Sequence, residues 1–398
     1  MGAYPSAAAS ASASVATVAP AKFRIPLLKS PMYFGHTSSR VNRPYNEDRY
    51  AATVLDINDE KVFSFAVFDG HGGSECSSWL EENLAKVVEQ GDDINMDKLA
   101  RDYAKNINGY WRRWYKHRKS HMDSLRGAPL SLSDASARHL NLRQRLPASY
   151  LDADYQFCSS SQKSGSTCTN AFFETVIGTP TDYYFMRNTV SIMTIAHVGD
   201  TKAILVDRNG EAHALTQPHH PSNPVESERL NKYATAFMTD SFGEERFIAL
   251  ANTRAFGDVK FKQMGVSAEP EISQLVVGDA SAVSAHLTPE EIAKYTIGGL
   301  GGNESFLVLC SDGITDVLTD QEIADIVMVH YNNRGTTVAT PQLGAEEVVK
   351  FVEFVGGDDN ATCLVVRLNG WGMWPVTDRT GELRQSRLSD YNPRQRRE

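Results

Sequence analysis

Short β-branched and aromatic runs that border an acidic residue constrain this chain more than any other feature. Val62–Phe68 reads as a buried strand and ends in Asp69-Gly70-His71-Gly72-Gly73, a loop. Ile192–Val198 runs into Gly199-Asp200, and Phe306–Cys310 into Ser311-Asp312-Gly313. Asp358-Asp359-Asn360 precedes a strand expected near Thr362–Arg367, and Asn46-Glu47-Asp48 follows a loop. A further strand is expected at Ala203–Asp207, and a helical pattern covers about Glu75 to Val88. Thr288-Pro289-Glu290-Glu291 and Thr319-Asp320-Gln321-Glu322 carry capping-box signals, the first with proline at the opening helical position. Strands and helices mix without a regular βαβ alternation, so the α+β class is expected over a doubly wound parallel sheet.

With 398 residues, 41% of them hydrophobic, the chain can build one large domain or two smaller ones. The net charge of -9 argues against a broadly basic surface, and no nucleic-acid partner is expected. Five scattered cysteines, without a Cys-x-x-Cys pair, argue against a disulfide framework or a thiolate zinc site and fit a reducing, intracellular setting. No apolar run approaches a membrane-spanning length. Residues 1–33 read as a flexible Ala/Ser-rich leader, with no acid before Glu47. An acid-free start suits a mitochondrial transit segment, while Met1-Gly2-Ala3-Tyr4-Pro5-Ser6 fits an N-myristoylation pattern. A mitochondrial matrix protein, a cytoplasmic one and an N-myristoylated, membrane-associated form all stay open. Residues 90–161 read as a helical then irregular insertion, and Tyr110–Lys119 within it as a basic, aromatic cluster. An amphipathic helix with inward aromatics is preferred there over a docking patch. Residues 371–398 read as a polar, loosely attached tail.

The acids can carry chemistry. Mg²⁺ and Mn²⁺ prefer oxygen ligands and keep several waters, so a few carboxylates from separate loops suffice. Glycine beside an aspartate lets backbone approach a metal closely, although any single Asp-Gly is more often a plain turn.

In order, the chain shows Arg43-Pro44-Tyr45-Asn46-Glu47-Asp48, Phe68-Asp69-Gly70-His71-Gly72-Gly73, Ser164-Gly165-Ser166-Thr167 and Val198-Gly199-Asp200-Thr201-Lys202. It continues with Leu215-Thr216, Glu226-Ser227-Glu228-Arg229, Thr253-Arg254-Ala255-Phe256-Gly257-Asp258, Cys310-Ser311-Asp312-Gly313 and Asp359-Asn360-Ala361-Thr362. This series resembles the type-2C metal-dependent protein phosphatases (PPM) from about Phe34 to Leu368. A divergent eukaryotic branch, fungal and mitochondrial, is the expected affiliation. The resemblance implies a central β-sandwich of two antiparallel sheets flanked by helices on both faces, occupying residues 34–370 with a flap at about 222–252. It implies a serine/threonine phosphatase acting on phosphoprotein substrates, with two Mg²⁺ or Mn²⁺ ions holding a hydroxide that attacks phosphorus. Asp69 would bridge the ions, and Gly70 would give its carbonyl. Glu47, Asp48, Asp312 and Asp359 would complete the shells, and Asp200 would serve a weaker third cation. Arg43 would hold the phosphate and His71 would act as general acid. A monomer is expected.

The sequence also departs from that family. Pro218-His219-His220-Pro221 stands where Asp-His-Lys-Pro is usual, and Thr315 where tryptophan is common. His219-His220 reads as a surface turn. A pseudophosphatase that keeps the fold as a binding module is the alternative, and a two-metal nuclease a more distant one.

Overall fold

The computed structural model describes residues 29–58, 60–109, 141–179, 182–231, 237–239, 245–247, 251–335 and 338–390. The leader up to residue 28 and the basic segment 110–119 lie outside the described residues, so the expectations for them do not meet the structure.

Two five-stranded antiparallel sheets face each other. One follows the order β13 (Glu271–Gly278), β7 (Val190–Val198), β6 (Cys168–Ile177), β3 (Glu60–Phe68) and β2 (Arg49–Ile57). The other runs β1 (Phe34–Ser39), β15 (Ala361–Arg367), β14 (Phe306–Cys310), β8 (Lys202–Val206) and β9 (Ala212–Ala214). A small sheet, β12 (Phe256–Gly257), β5 (Gly165–Ser166) and β4 (Gly70–His71), sits apart from them, as does the hairpin β10 (Phe237–Thr239) and β11 (Glu245–Phe247).

The period-2 alternation of strand side chains explains the layering. On β3, Phe63, Phe65 and Val67 meet Leu205, Leu307, Leu309, Leu364 and Val366 of the opposite sheet. Val62, Ala66 and Phe68 point the other way and pack with Leu80 and Leu84 of helix Glu75–Glu89 and Leu146 and Tyr150 of helix Leu142–Cys158. On the second sheet, Ile204, Val308, Cys310, Cys363 and Val365 bury against helices Asp320–Arg334 and Pro341–Val355. Helices thus cover each outer face, and the strands must be apolar on both sides. Hence mainly apolar runs in place of a polar alternation: all nine residues of β7 are buried, Ser191, Thr194 and His197 included. A Phe65→Ala change at the sandwich centre would cost about 3–5 kcal/mol.

Both expected capping boxes form. Thr288 and Thr319 each accept from the third helical N–H, while Glu291 and Glu322 return to the cap backbone. Helix Leu142–Cys158 escapes periodicity because it is buried on nearly every side, Pro147 included. Residues 371–390 are anchored, against the expectation of a loose tail, while 391–398 lie outside the described residues. Trp371 and Trp374 pack edge-on with Phe306 and Tyr331. Helix Gly381–Asp390 is tied down by Arg387 Nε to the buried Glu322 at 2.7 Å. Two well-spaced tryptophans carry enough apolar area to hold an otherwise polar segment.

Candidate metal centre

The strands deliver their acids to one end of the sandwich. Asp69 follows β3, Asp200 follows β7 and Asp312 follows β14, and their carboxylate oxygens lie within 4.8 Å of one another. The strand end is where the backbone leaves the core, so acids placed there can converge outside the mainly apolar interior. Asp48 lies close enough to Asp69, and Asp359 to Asp312, for their charges to interact, and Glu47 is held against the loop after Asp69 by Gly73; none of the three belongs to the trio. Gly70 must be glycine, because a Cβ there would stand 2.4 Å from the Glu47 carbonyl and 2.7 Å from Ser77 Oγ. Ser77 Oγ in turn donates to that carbonyl at 2.5 Å, and Gly73 N–H donates to Glu47 Oε1 at 2.8 Å.

Asp48 is buried beneath the trio. Ser311 Oγ (2.8 Å) and Thr362 Oγ1 (2.7 Å) donate to its Oδ2, while its Oδ1 has no protein partner. Burial, reinforced by the Asp359 charge and opposed by those hydroxyls, pushes Asp48 up to about 6. Asp69 rises well above the ordinary carboxylate range, through burial first and then through the charges of Asp312, Asp48 and Asp200. Asp312 rises too, through burial and then Asp200. Burial also raises Asp200, offset by a hydrogen bond from Asn252 and by His71. Asp200 Oδ1 is buried with no protein partner. Among the described residues no lysine or arginine forms an ion pair with Asp69, Asp200 or Asp312. Clustered, uncompensated carboxylates with orphaned oxygens are the donor set that a hard divalent cation suits. A second acidic group, Asp207, Glu211 and His213, differs in kind. Asp207 Oδ1 accepts from Asn209 and Glu211 N–H, and Oδ2 meets His213 Nε2, so its oxygens close the β8–β9 turn.

Arg43 reaches Asp359, Nη2 to Oδ2 at 2.6 Å, and donates from Nε to the Asp358 carbonyl. Its side chain stays 54% exposed at the rim. His71 Nε2 lies 2.7 Å from Asp258 Oδ2. Burial alone would lower the His71 pKa; the Asp258 hydrogen bond and charge, with Asp200 and Glu47, outweigh it and raise the value.

Three contributors carry no role in the sequence reading. Asp258 closes the quoted Thr253–Asp258 motif. Asn360 fixes the loop that carries Arg43 and Glu47: its Oδ1 accepts from Glu47 N–H at 2.8 Å, and its Nδ2 donates to the Tyr45 carbonyl at 2.9 Å. His219 is a correction, being buried (1% exposed) and not a surface turn. Its Nδ1 accepts from Gly199 N–H at 3.0 Å and its Nε2 meets Glu271 at 3.1 Å, so it secures the turn that presents Asp200. Proline on each side of a histidine pair suggests a turn, but only tertiary contact decides which histidine faces inward.

Comparison with known proteins supports the family. The chain matches the protein phosphatase 2C family model over residues 114–282 and 293–360. It is 34% identical over 384 residues to protein phosphatase 2C homolog 4 of Schizosaccharomyces pombe, covering 93% of this chain and 89% of that protein. It is 27% identical to the mitochondrial protein phosphatase 1K of Xenopus laevis, covering 83% of this chain and 66% of that one. Among solved structures, a C. elegans sex determining protein aligns with a TM-score of 0.55 at 21% identity, over 90% of this chain and 67% of that one. A serine-threonine phosphatase 2C from Toxoplasma gondii aligns with a TM-score of 0.53 at 17% identity, over 87% and 98%. These structural likenesses speak to the fold.

Proposed function

Since this chain belongs to the protein phosphatase 2C family, we propose that it hydrolyses phosphoserine and phosphothreonine in proteins at a dinuclear Mg²⁺ or Mn²⁺ centre built on Asp69. The observation that carries this reading is the uncompensated trio of Asp69, Asp200 and Asp312, with buried oxygens of Asp48 and Asp200 that meet no protein donor. When bound, two such cations supply Lewis-acid polarisation of the phosphoryl group and a water acidified enough to attack phosphorus. Asp69, with the Gly70 carbonyl, Glu47, Asp48, Asp312 and Asp359, would hold them, and Asp200 would hold a weaker third.

The remaining tasks fall to other side chains. Arg43, half exposed beside Asp359, offers a guanidinium fork to the substrate phosphate. Asp359 keeps that fork at the mouth of the site before substrate arrives. His71 gives a proton to the seryl or threonyl oxygen as its bond to phosphorus breaks, because an alkoxide is a poor leaving group. The charges of Asp258, Asp200 and Glu47 favour the protonated ring that this task needs. No thiol takes part: the five cysteines are buried. No helix of the described residues is long and apolar enough to cross a membrane.

Phosphate release from a phosphothreonine peptide tests the proposal, with Mn²⁺ or Mg²⁺ against EDTA and the Asp69→Asn variant. Turnover should need the metal and disappear in the variant. Silence with metal demonstrably bound would leave a binding module on this fold.

A further inference from the structure

We propose that Asp258 is the positioning residue of the general acid: it holds the His71 ring by Nε2 and leaves Nδ1 as the nitrogen that serves the leaving oxygen. The inference rests on the reading of His71 as general acid and extends it to a residue and a ring atom. Three observations carry it. The first is the small sheet itself, whose register sets His71 and Gly257 on either side of Gly165. A Cβ at position 165 would stand 2.3 Å from His71 Nε2 and 2.4 Å from Asp258 Oδ2, so the two side chains meet across the one position kept bare for them. The second is backbone conformation. Gly257 (φ +70) and Asp258 (φ +49) are consecutive left-handed residues, and the turn they make aims a 94% buried carboxylate at the ring. A non-glycine residue is rare there unless its surroundings impose it.

The third is what imposes it. Gly257 N–H donates to Asp154 Oδ1 at 2.8 Å, from helix Leu142–Cys158. Asp154 Oδ2 takes Lys262 Nζ at 2.9 Å and the Tyr103 hydroxyl at 2.6 Å. Lys262 Nζ also donates to the Ala255 carbonyl at 2.7 Å. The Asp154 and Lys262 side chains are fully buried. A charged brace of this kind offers little stability over an apolar replacement, whereas it fixes the strand that delivers Asp258.

In the proton transfer, the phosphorus–oxygen bond breaks with its electron pair on the seryl or threonyl oxygen. The Nδ1–H bond breaks as the new O–H bond forms, and the ring ends neutral, still donating Nε2–H to Asp258. Partners that orient the far nitrogen of a metal-ligating histidine matter about 10–100-fold, and the same orienting role on a proton-donating ring sets the expected scale here.

The test compares a phosphothreonine peptide with an aryl phosphate, whose leaving group needs no acid, on the Mg²⁺-loaded enzyme. Asp258→Asn should lower peptide kcat about 10–100-fold and aryl phosphate kcat much less. In a His71→Ala background it should cost the peptide reaction nothing further. Equal losses on the two substrates, or losses that multiply with His71→Ala, would overturn the proposal and leave Asp258 a structural residue. The underlying reading fails separately, when His71→Ala alone slows both substrates equally. Gly165→Ala pushes the pair apart from the other side and should reproduce the split whether or not Asp258→Asn folds. In the unsubstituted protein, ¹⁵N imidazole shifts, assigned by the resonance lost in His71→Ala, should show a protonated Nε2. A bare Nε2 would sink the arrangement without any change at Asp258.

Discussion

The acids of the metal centre and the acids of the braces are chemically alike, yet their surroundings are opposite: Asp154 and Glu226 are buried against cations, while Asp69, Asp200 and Asp312 stand half-buried together. Glu226 takes Arg254 on Oε1 and Arg229 and Thr253 on Oε2. Burial alone would raise its pKa; the two guanidinium groups reverse that and hold it well below the usual range. Asp154 has Lys262. Asp69, Asp200 and Asp312 have no lysine or arginine partner among the described residues; burial raises all three, and the charges of neighbouring acids add to it at Asp69 and Asp312. A protein that provides counter-ions for some buried carboxylates and withholds them from others is selective, and the withheld positive charge is what a cation brings. The cost of that choice falls on the metal-free fold.

The contrast can be broken in several places. Asp312→Asn should remove at least about 10³-fold of peptide turnover, since a metal centre supplies several kcal/mol of transition-state stabilisation. The same change should raise the urea midpoint of the EDTA-treated protein, because it relieves repulsion; a lowered midpoint would contradict the comparison. Lys262→Met should do the reverse in stability, exposing the Asp154 charge to an apolar interior at about 3–5 kcal/mol in equilibrium unfolding. No loss there would mean that the brace is not a true pair.

Smaller effects sharpen the picture. Mg²⁺ at about 100 times its Kd should add about 2.7 kcal/mol to unfolding free energy, measured by thermal or urea titration. Asp312→Asn should shrink that increment, and Lys262→Met should not. The smallest effect concerns Asp48, pushed up to about 6. With a raised folded pKa, the native state holds the proton that the unfolded chain has released, so stability falls as pH rises from about 4 through 6. In metal-free protein, the melting temperature of wild type relative to Asp48→Asn should therefore drop across that window. A flat difference would place Asp48 in a wetter setting than its contacts indicate.

Much of the frame is legible in the residues. The runs at Val62–Phe68, Ile192–Val198 and Phe306–Cys310 are strands, and the capping boxes at Thr288 and Thr319 form. β2, β6 and β13 were harder to read, since polar residues such as Asp56, Asn170 and Gln274 interrupt their apolar faces. The site acids were visible as an ordered series, although the motif order does not say which oxygens approach. That Asp200 joins Asp69 and Asp312 within 4.8 Å, while Asp359 turns to Arg43, is a fact of folding.

The sequence by itself determined the α+β class, several strand ends and the acids placed there, because strand runs, caps and Asp-Gly turns are local and act over a few residues; the sandwich came only through the family resemblance. Only the tertiary structure decided the partners. Asp258 with His71, Asn360 with the Glu47 loop and His219 with the Asp200 turn join residues far apart in the chain. Such pairings depend on sheet register and on what each buried polar atom finds across the interface, and no local rule encodes either.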